Sequence, residues 1–257
     1  MNIWDSYNID DGKYGYFQIR ELHLWIQKMY QEWIVGWKQK PEYPENVSMQ
    51  ILDTCTEGSI EWRRKVVKDT DSLIHLSPLM PERAVVVKPD SALQITAGAE
   101  ALFYVSIPMW IGVFTGKSQS ALFEVPTISL SNTWFGEPNN GSLCYSIKTS
   151  IHSIFSNLSL QSNEVVCPVQ IKNTASVDLD FTRLCIQTDY LSIYKIDNEL
   201  WTNKLHVHFR GIDKDSNIIY ENSYPEKNRK YTLVFKSRKK YSKSYSIKSF
   251  DTFKFFS

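Results

Sequence analysis

Ala101-Leu-Phe-Tyr-Val-Ser-Ile-Pro-Met-Trp-Ile-Gly-Val-Phe-Thr115 is the most apolar run of a 257-residue chain, and its reading decides the fold. Roughly 15 residues, interrupted by Ser106 and Pro108, fall short of the ~20 that a membrane-spanning helix requires, so a span is rejected. Leu102 to Val105 is apolar on both faces, the pattern of a strand inside a core. Pro108 has no N–H to give a ladder and predicts a bulge or a break into a second strand, Met109 to Phe114. The run is expected as the central strand of the first half, with Phe103 and Val105 buried.

Composition points the same way. Aromatic residues make up 14% of the chain, with eight Trp and fourteen Tyr but only ten Gly and ten Pro, which suits pleated, half-buried surfaces. The length allows one large β domain or two ordinary ones, with a core that needs no crosslink or metal. Met1-Asn-Ile-Trp-Asp-Ser lacks the basic region and apolar segment of a secretory signal, and a cytoplasmic location is expected. Cys55, Cys144, Cys167 and Cys185 show no CxxC spacing and have apolar or β-forming neighbours, so free core thiols are expected. On that reading the sequons at Asn46, Asn140 and Asn157 are chance matches.

Outward from the central run, Asp10-Asp11-Gly12 is a turn and Tyr14 to Glu21 a strand. Leu22, Leu24 and Ile26 alternate as in a strand, whereas Trp25, Met29, Trp33 and Trp37 recur at helical spacing. The β-rich Trp33-Ile-Val-Gly-Trp37 favours two strands over one helix. A loop with Pro41 and Pro44 leads to a strand at Val47 to Leu52 and another at Ser59 to Val67. Leu76 to Pro81 reads as a Pro-bounded connector, after which short strands recur at about ten-residue spacing, as in a sandwich or barrel. Asn140-Gly141 is the strongest hairpin signal and predicts a type I′ turn before a strand at Ser142 to Thr149. From Val165 the pattern reads as a second sandwich, including half-exposed strands at Val177 to Leu184 and Leu205 to Ile212. The expected architecture is all-β, two packed β-sandwich-like halves of which the second resembles an immunoglobulin-type sandwich. The boundaries are 1–137, 138–236 and a basic aromatic tail at 237–257, possible as an extra strand.

Charge is unevenly distributed. From Tyr224 to Ser257 ten Lys or Arg face only Glu226 and Asp251, a net of +8, which leaves −7 on the rest of a chain whose total is +1. Tyr231, Phe235, Tyr241, Tyr245, Phe250, Phe253, Phe255 and Phe256 interleave with these cations, a combination that tracks phosphates and stacks bases, or contacts an anionic membrane surface. The alternative is that Tyr231 to Phe235 forms a last strand and the remainder docks on the acidic body.

Few residues carry a chemical signal. In the 59–67 segment Ile60, Trp62, Arg64 and Val66 share one face. Arg64 is then either an anion anchor or an edge residue whose stem covers core while its head reaches water. His206 and His208 share a strand face, suiting either a metal or solvent. Asp213-Lys-Asp-Ser-Asn217 begins like a calcium loop, but Ile218 stands where its glycine belongs, so a polar turn is expected. Glu61, Asp178 and Asp180 are read as surface carboxylates. The chain has no G-x-S-x-G, P-loop, G-x-G-x-x-G or HExxH.

Three segments in order resemble the prokaryotic domain-of-unknown-function 432 family: the Trp62-Arg-Arg-Lys65 strand, Ile107-Pro-Met-Trp-Ile-Gly-Val-Phe114, and Gly136-Glu-Pro-Asn-Asn-Gly-Ser-Leu-Cys144 with Lys148 after it. The similarity covers about residues 10 to 215. It departs from the family pattern where Phe135 precedes Gly136 and Tyr145 follows Cys144. The resemblance implies no established activity and no catalytic residue, and it suggests a membrane-associated partner.

The expected function is that of a non-catalytic binding or adaptor protein engaging another macromolecule, most simply a protein. One alternative is a small-anion or sugar binder or hydrolase with a site between the two halves, using Trp62, Arg63, Arg64 and Lys148. Another is nucleic-acid or anionic-surface binding through the tail, with Lys239 and Lys240. No cofactor or metal is expected.

Overall fold

The computed structural model describes residues 3–40, 48–68, 73–91, 93–116, 120–149, 151–212, 214, 216–222 and 230–241. The Pro41/Pro44 loop, Asp213 and Asp215, and the tail beyond Tyr241 lie outside the described residues. The chain begins with β1 (Ser6–Asn8), β2 (Tyr14–Ile19), β3 (Leu22–Met29), β4 (Glu32–Gln39), β5 (Ser48–Leu52), β6 (Glu61–Val66) and β7 (Leu73–Leu79). It continues with β8 (Val85–Pro89), β9 (Leu93–Ile95), β10 (Glu100–Pro108), β11 (Trp110–Thr115), β12 (Phe123–Pro126), β13 (Ser131–Phe135), β14 (Ser142–Thr149) and β15 (Ile151–His152). It ends with β16 (Glu164–Asn173), β17 (Leu179–Phe181), β18 (Leu184–Ile186), β19 (Ile193–Ile196), β20 (Glu199–Thr202), β21 (Leu205–Phe209), β22 (Asn217–Tyr220) and β23 (Thr232–Phe235). Helix is confined, among the described residues, to 3-10 turns at Phe155–Asn157 and Thr188–Tyr190, so the protein is all-β. No helix among the described residues is long and apolar enough to cross a membrane.

Contacts group the chain into two interleaved units, Met1–Leu79 with Pro108–Ser129, and Met80–Ile107 with the chain from Leu130 onward. The polypeptide passes between them three times, a division that no single cut describes.

The first unit is a two-sheet sandwich. One sheet has the order β5-β2-β3-β4-β6 and the other β1-β7-β11-β12. Leu22, Leu24 and Ile26 of β3 and Trp33 and Val35 of β4 share one buried cluster with Ile74, Leu76, Ile111, Val113 and Val125 of the other sheet. Each such fully buried aliphatic side chain contributes on the order of 1.5–3 kcal/mol of transfer free energy. The helical spacing of Trp25, Met29, Trp33 and Trp37 dissolves here. The register sets Trp25 opposite Gly36 and Met29 opposite Glu32, which leaves Trp25 and Met29 on the face away from Trp33 and Trp37. The connections Arg20-Glu21 and Tyr30-Gln31 are two-residue turns, with Arg20 at φ 51° and Tyr30 at φ 44° in the left-handed region. Neither carries the Asn-Gly or Asp-Gly signature such turns favour, which is why this stretch was ambiguous.

Leu76 to Pro81, expected as a connector, is instead mostly strand: β7 runs to Leu79 and pairs with β11 along Ile74–Leu79. Pro78 is tolerated there because β1 pairs only with Leu73–His75. Among the described residues no ladder flanks Pro78 on that side to be owed an N–H.

The opening run is divided between the units. β10 ends at Pro108, Met109 is buried, and β11 begins at Trp110. The break at Pro108 and the burial of Phe103 (7%) and Val105 (1%) are found as expected. The single central strand of a first half is corrected, since β10 and β11 belong to different sheets in different units.

The second unit contains a sheet of order β13-β14-β8-β18, a larger sheet along β15-β10-β16-β20-β19-β23 that also carries β21 and β22, and the pair β17-β9. β14 lies parallel to β8, and β16 parallel to both β20 and β21. Parallel neighbours need long connections, so turn signals cannot announce them. β13 and β14 form the expected hairpin, but its turn is corrected. Residues 136–141 make a longer loop in which Gly136, at φ 99°, takes the left-handed position, and the N–H groups of Asn140 and Gly141 both donate to the Glu137 carbonyl. A Cβ on Gly141 would lie 2.3 Å from Trp134 Nε1. This glycine is required for close packing rather than for a type I′ turn.

All four cysteines are free; Cys144, Cys167 and Cys185 are buried and Cys55 is half-buried. Burial pushes the Cys167 thiol up to about 12, where it is an inert core group.

Candidate functional site

Among the described residues β6 is the last strand of its sheet, and all six of its residues are exposed. Its register pairs Trp33 with Lys65, Val35 with Arg63 and Gly36 with Trp62. Because Trp33 and Val35 are core residues, the face of β6 that continues the core is the one bearing Arg63 and Lys65. The Arg63 guanidinium lies 4.6 Å from the Trp37 ring and the Lys65 ammonium 5.3 Å from the Phe123 ring. Long stems cap the rim of the core while the charges stay near water. The face shared by Trp62, Arg64 and Val66 therefore looks away from the core. Arg64 is neither buried nor free: Nε and Nη2 donate to Glu32 Oε2 at 3.0 and 2.5 Å.

That outer face has its own local packing. A row across four strands sets Tyr16 beside Trp25, Trp25 beside Gly36 and Gly36 beside Trp62. Tyr16 and Trp25 rings lie 5.2 Å apart, and Tyr14 and Trp62 rings 6.1 Å. Gly36 makes this possible, because a Cβ there would come within 2.5 Å of Ile60 Cγ2 and 2.6 Å of the Trp62 ring. Gly36→Ala should therefore displace β6 and cost roughly 1–3 kcal/mol. The measurement is urea unfolding together with Trp emission. An unchanged midpoint would show that the Trp62 ring moves aside freely.

The segment leading into β6 is clamped by Glu57, which accepts from Lys40 Nζ at 2.8 Å and Lys38 Nζ at 3.2 Å. Those hydrogen bonds, Lys40 first, hold the Glu57 carboxyl below its usual range. A depressed carboxylate stabilises the fold above its unfolded pKa and loses that contribution as pH falls through its folded value. Acidification through the carboxylate range should thus lower amide protection factors in the 53–60 segment before those of β3 and β4, and Glu57→Gln should abolish the pH step.

The remaining sequence candidates lie elsewhere. Lys148 is exposed on β14 in the other unit, directly opposite Lys88. His206 Nε2 lies 2.5 Å from Glu221 Oε1, and no group of metal ligands occurs among the described residues. Asp180 accepts from Gln94 between β17 and β9, and Asp178 from the Ala97 N–H just beyond the ends of the two strands, each at 2.9 Å.

The family model described as Protein of unknown function (DUF432) matches residues 3–254 of the 257. The chain belongs to that family. No curated protein and no solved structure matches it. The match takes in both units of this family member and all but the last three residues of its tail, so the resemblance read over residues 10 to 215 extends to nearly the whole chain.

In that tail Lys239 Nζ is 2.6 Å from Asp189 Oδ2, and its N–H donates to the Asp189 carbonyl. Arg238 Nη2 donates to the Met80 carbonyl, the Ser237 N–H to Ser192 Oγ, and Tyr241 Oη to the Ile218 carbonyl. The Tyr241 ring packs on Tyr190 and Tyr220. β23, the last strand among the described residues, pairs with β19, and 237–241 docks behind it, with Lys240 exposed. Ending the chain at Lys236 should cost about 2–4 kcal/mol through these lost bonds and contacts. Ending it at Tyr241 keeps these bonds and contacts and is the reference. Thermal melts of the two truncations check this, and equal melting temperatures would refute the docking.

Proposed function

We propose that this protein is a non-catalytic binding module that engages another protein through the open β6 edge of its five-stranded sheet. The supporting observation is a terminal strand exposed at every residue, carrying Trp62 and Val66 beside three cations. A row of unpaired edge groups is a template for an added chain. The small-anion and sugar readings have less support. Arg63 lies on one face of β6 and Trp62 and Arg64 on the other, so the three cannot converge on one small ligand. The tail reading loses Lys239 to Asp189. A reducing compartment such as the cytoplasm is supported by the four free thiols, among them Cys144 and Cys185 with sulfurs 4.0 Å apart.

The test places a photoreactive amino acid at position 66 or, in the other unit, at position 143, and irradiates the full chain in an extract of its source. A discrete protein adduct from position 66 alone is expected. No adduct from position 66, or equal labelling from both positions, overturns the proposal.

A further inference from the structure

We propose that the β6 edge takes up an extended acidic segment of its partner as an added strand. This rests on the reading of β6 as a protein-binding edge and names the chemistry it recognises. Arg63, Arg64 and Lys65 are consecutive in an extended strand, so Arg63 and Lys65 stand on one face and Arg64 on the other. An incoming strand therefore meets positive charge on both of its faces. Arg64 keeps 64% of its side chain exposed while bonded to Glu32. It is flanked on its own face by Trp62, 37% exposed, and Val66, 73% exposed. The complement is a strand with three successive acidic residues opposite 63–65 and apolar residues opposite Trp62 and Val66.

Self-pairing that brings the cations of two copies together is disfavoured at this edge. Antiparallel self-pairing centred on Arg64 sets Arg63 opposite Lys65, and centring between Arg63 and Arg64 sets those two opposite each other. Like charges directly opposite are destabilising in these two registers, whereas registers that set Glu61 opposite Arg63 or Arg64 leave Lys65 outside the paired cations; sedimentation of the full chain as a dimer through this edge would overturn the inference. The same cations that guard the edge against indiscriminate pairing select an acidic strand.

The probe is a blocked peptide, Thr-Val-Glu-Glu-Glu-Ile-Thr, titrated calorimetrically onto the full chain at low salt, with a Lys-for-Glu peptide as control. The acidic peptide is expected to bind, to weaken with rising salt, and to bring amide-exchange protection to residues 61–66. Arg63→Glu with Lys65→Glu should weaken it at least about tenfold, and the milder Arg63→Ala with Lys65→Ala roughly threefold to tenfold. Circular dichroism establishes that both variants are folded. Equal binding of both peptides, unchanged affinity in both variants, or binding without protection of 61–66 overturns the inference. So does a single-stranded oligonucleotide that binds this edge more tightly than the peptide. If the adduct from position 66 persists in the charge-reversed variant, the acidic-strand assignment falls and the protein-binding reading stands. If the adduct is absent from the unaltered protein, the reading beneath it falls as well.

Discussion

Trp201→Ala is expected to lower the unfolding free energy of the second unit by about 3–5 kcal/mol. Trp201 is fully buried on β20 and clusters with Val166 of β16 and Ile196 of β19. Its ring is 4.5 Å from Phe155 and 5.9 Å from Tyr104, the latter edge-on, and its Nε1 donates to Glu199. Removing it leaves a cavity that rigid strands cannot collapse to fill. Phe155, Leu158 and Leu160 pack on the same cluster from the 3-10 turn and the segment after it. Proteolysis near residues 153–161 should therefore accelerate in the variant before global unfolding. Urea titration and limited proteolysis read the two effects separately. A loss below about 1 kcal/mol, the size of a surface substitution, would mean that this cluster is peripheral to the unit.

Asn203→Ala is expected to cost about 3–5 kcal/mol, from three backbone groups stranded at once, each worth roughly 1–3 kcal/mol when buried unpaired. Asn203 is 3% exposed and sits between β20 and β21, where the chain keeps β16 as one neighbour and exchanges the other. β20 pairs with β19, whereas β21 pairs with β22. Neither ladder covers the junction, and the amide of Asn203 closes it. Oδ1 accepts from the Ser192 N–H at 2.8 Å, while Nδ2 donates to the Tyr190 carbonyl at 3.3 Å and the Glu221 carbonyl at 2.8 Å. Asn203→Asp should be no better despite its shape, since it sets a carboxylate against two carbonyl oxygens. Denaturant midpoints for Ala and Asp variants check this. An Asp variant of native stability would show that the two donor contacts contribute nothing.

Strand existence was legible where it depended on local features. Pro108 ended a strand because a missing N–H ends a ladder wherever it stands, and Thr232–Phe235 was recognisable as a last strand. Pro78 misled for the same reason, because tolerance of proline depends on how far the neighbouring strand β1 extends. β20 left no separate signal, since Leu200 and Trp201 stand in a short run among polar residues. In the candidate site, Trp62, Arg63 and Arg64 were singled out correctly as a strand, but the face assigned to them was inverted. Arg64 looked inward by its apolar companions, and only pairing with Val35 and Trp33 shows that Arg63 and Lys65 continue the core. Glu32, Glu57 and Asp189, which neutralise these and other cations, are distant or unremarkable in sequence and carried no signal of their own.

By itself, then, the sequence determined an all-β chain, its free thiols and the division of its charge, because alternation, composition and the chemistry of proline act within a few residues. Only the tertiary structure decided that the apolar run at 101–115 serves two sheets in two units. It alone set β14 parallel to β8 and turned the apolar face of β6 outward. The physical reason is common to all three: a strand's neighbours, and hence the side on which its core lies, are set by backbone pairing between segments far apart in the chain, and period-two alternation is blind to which of its two faces that pairing buries.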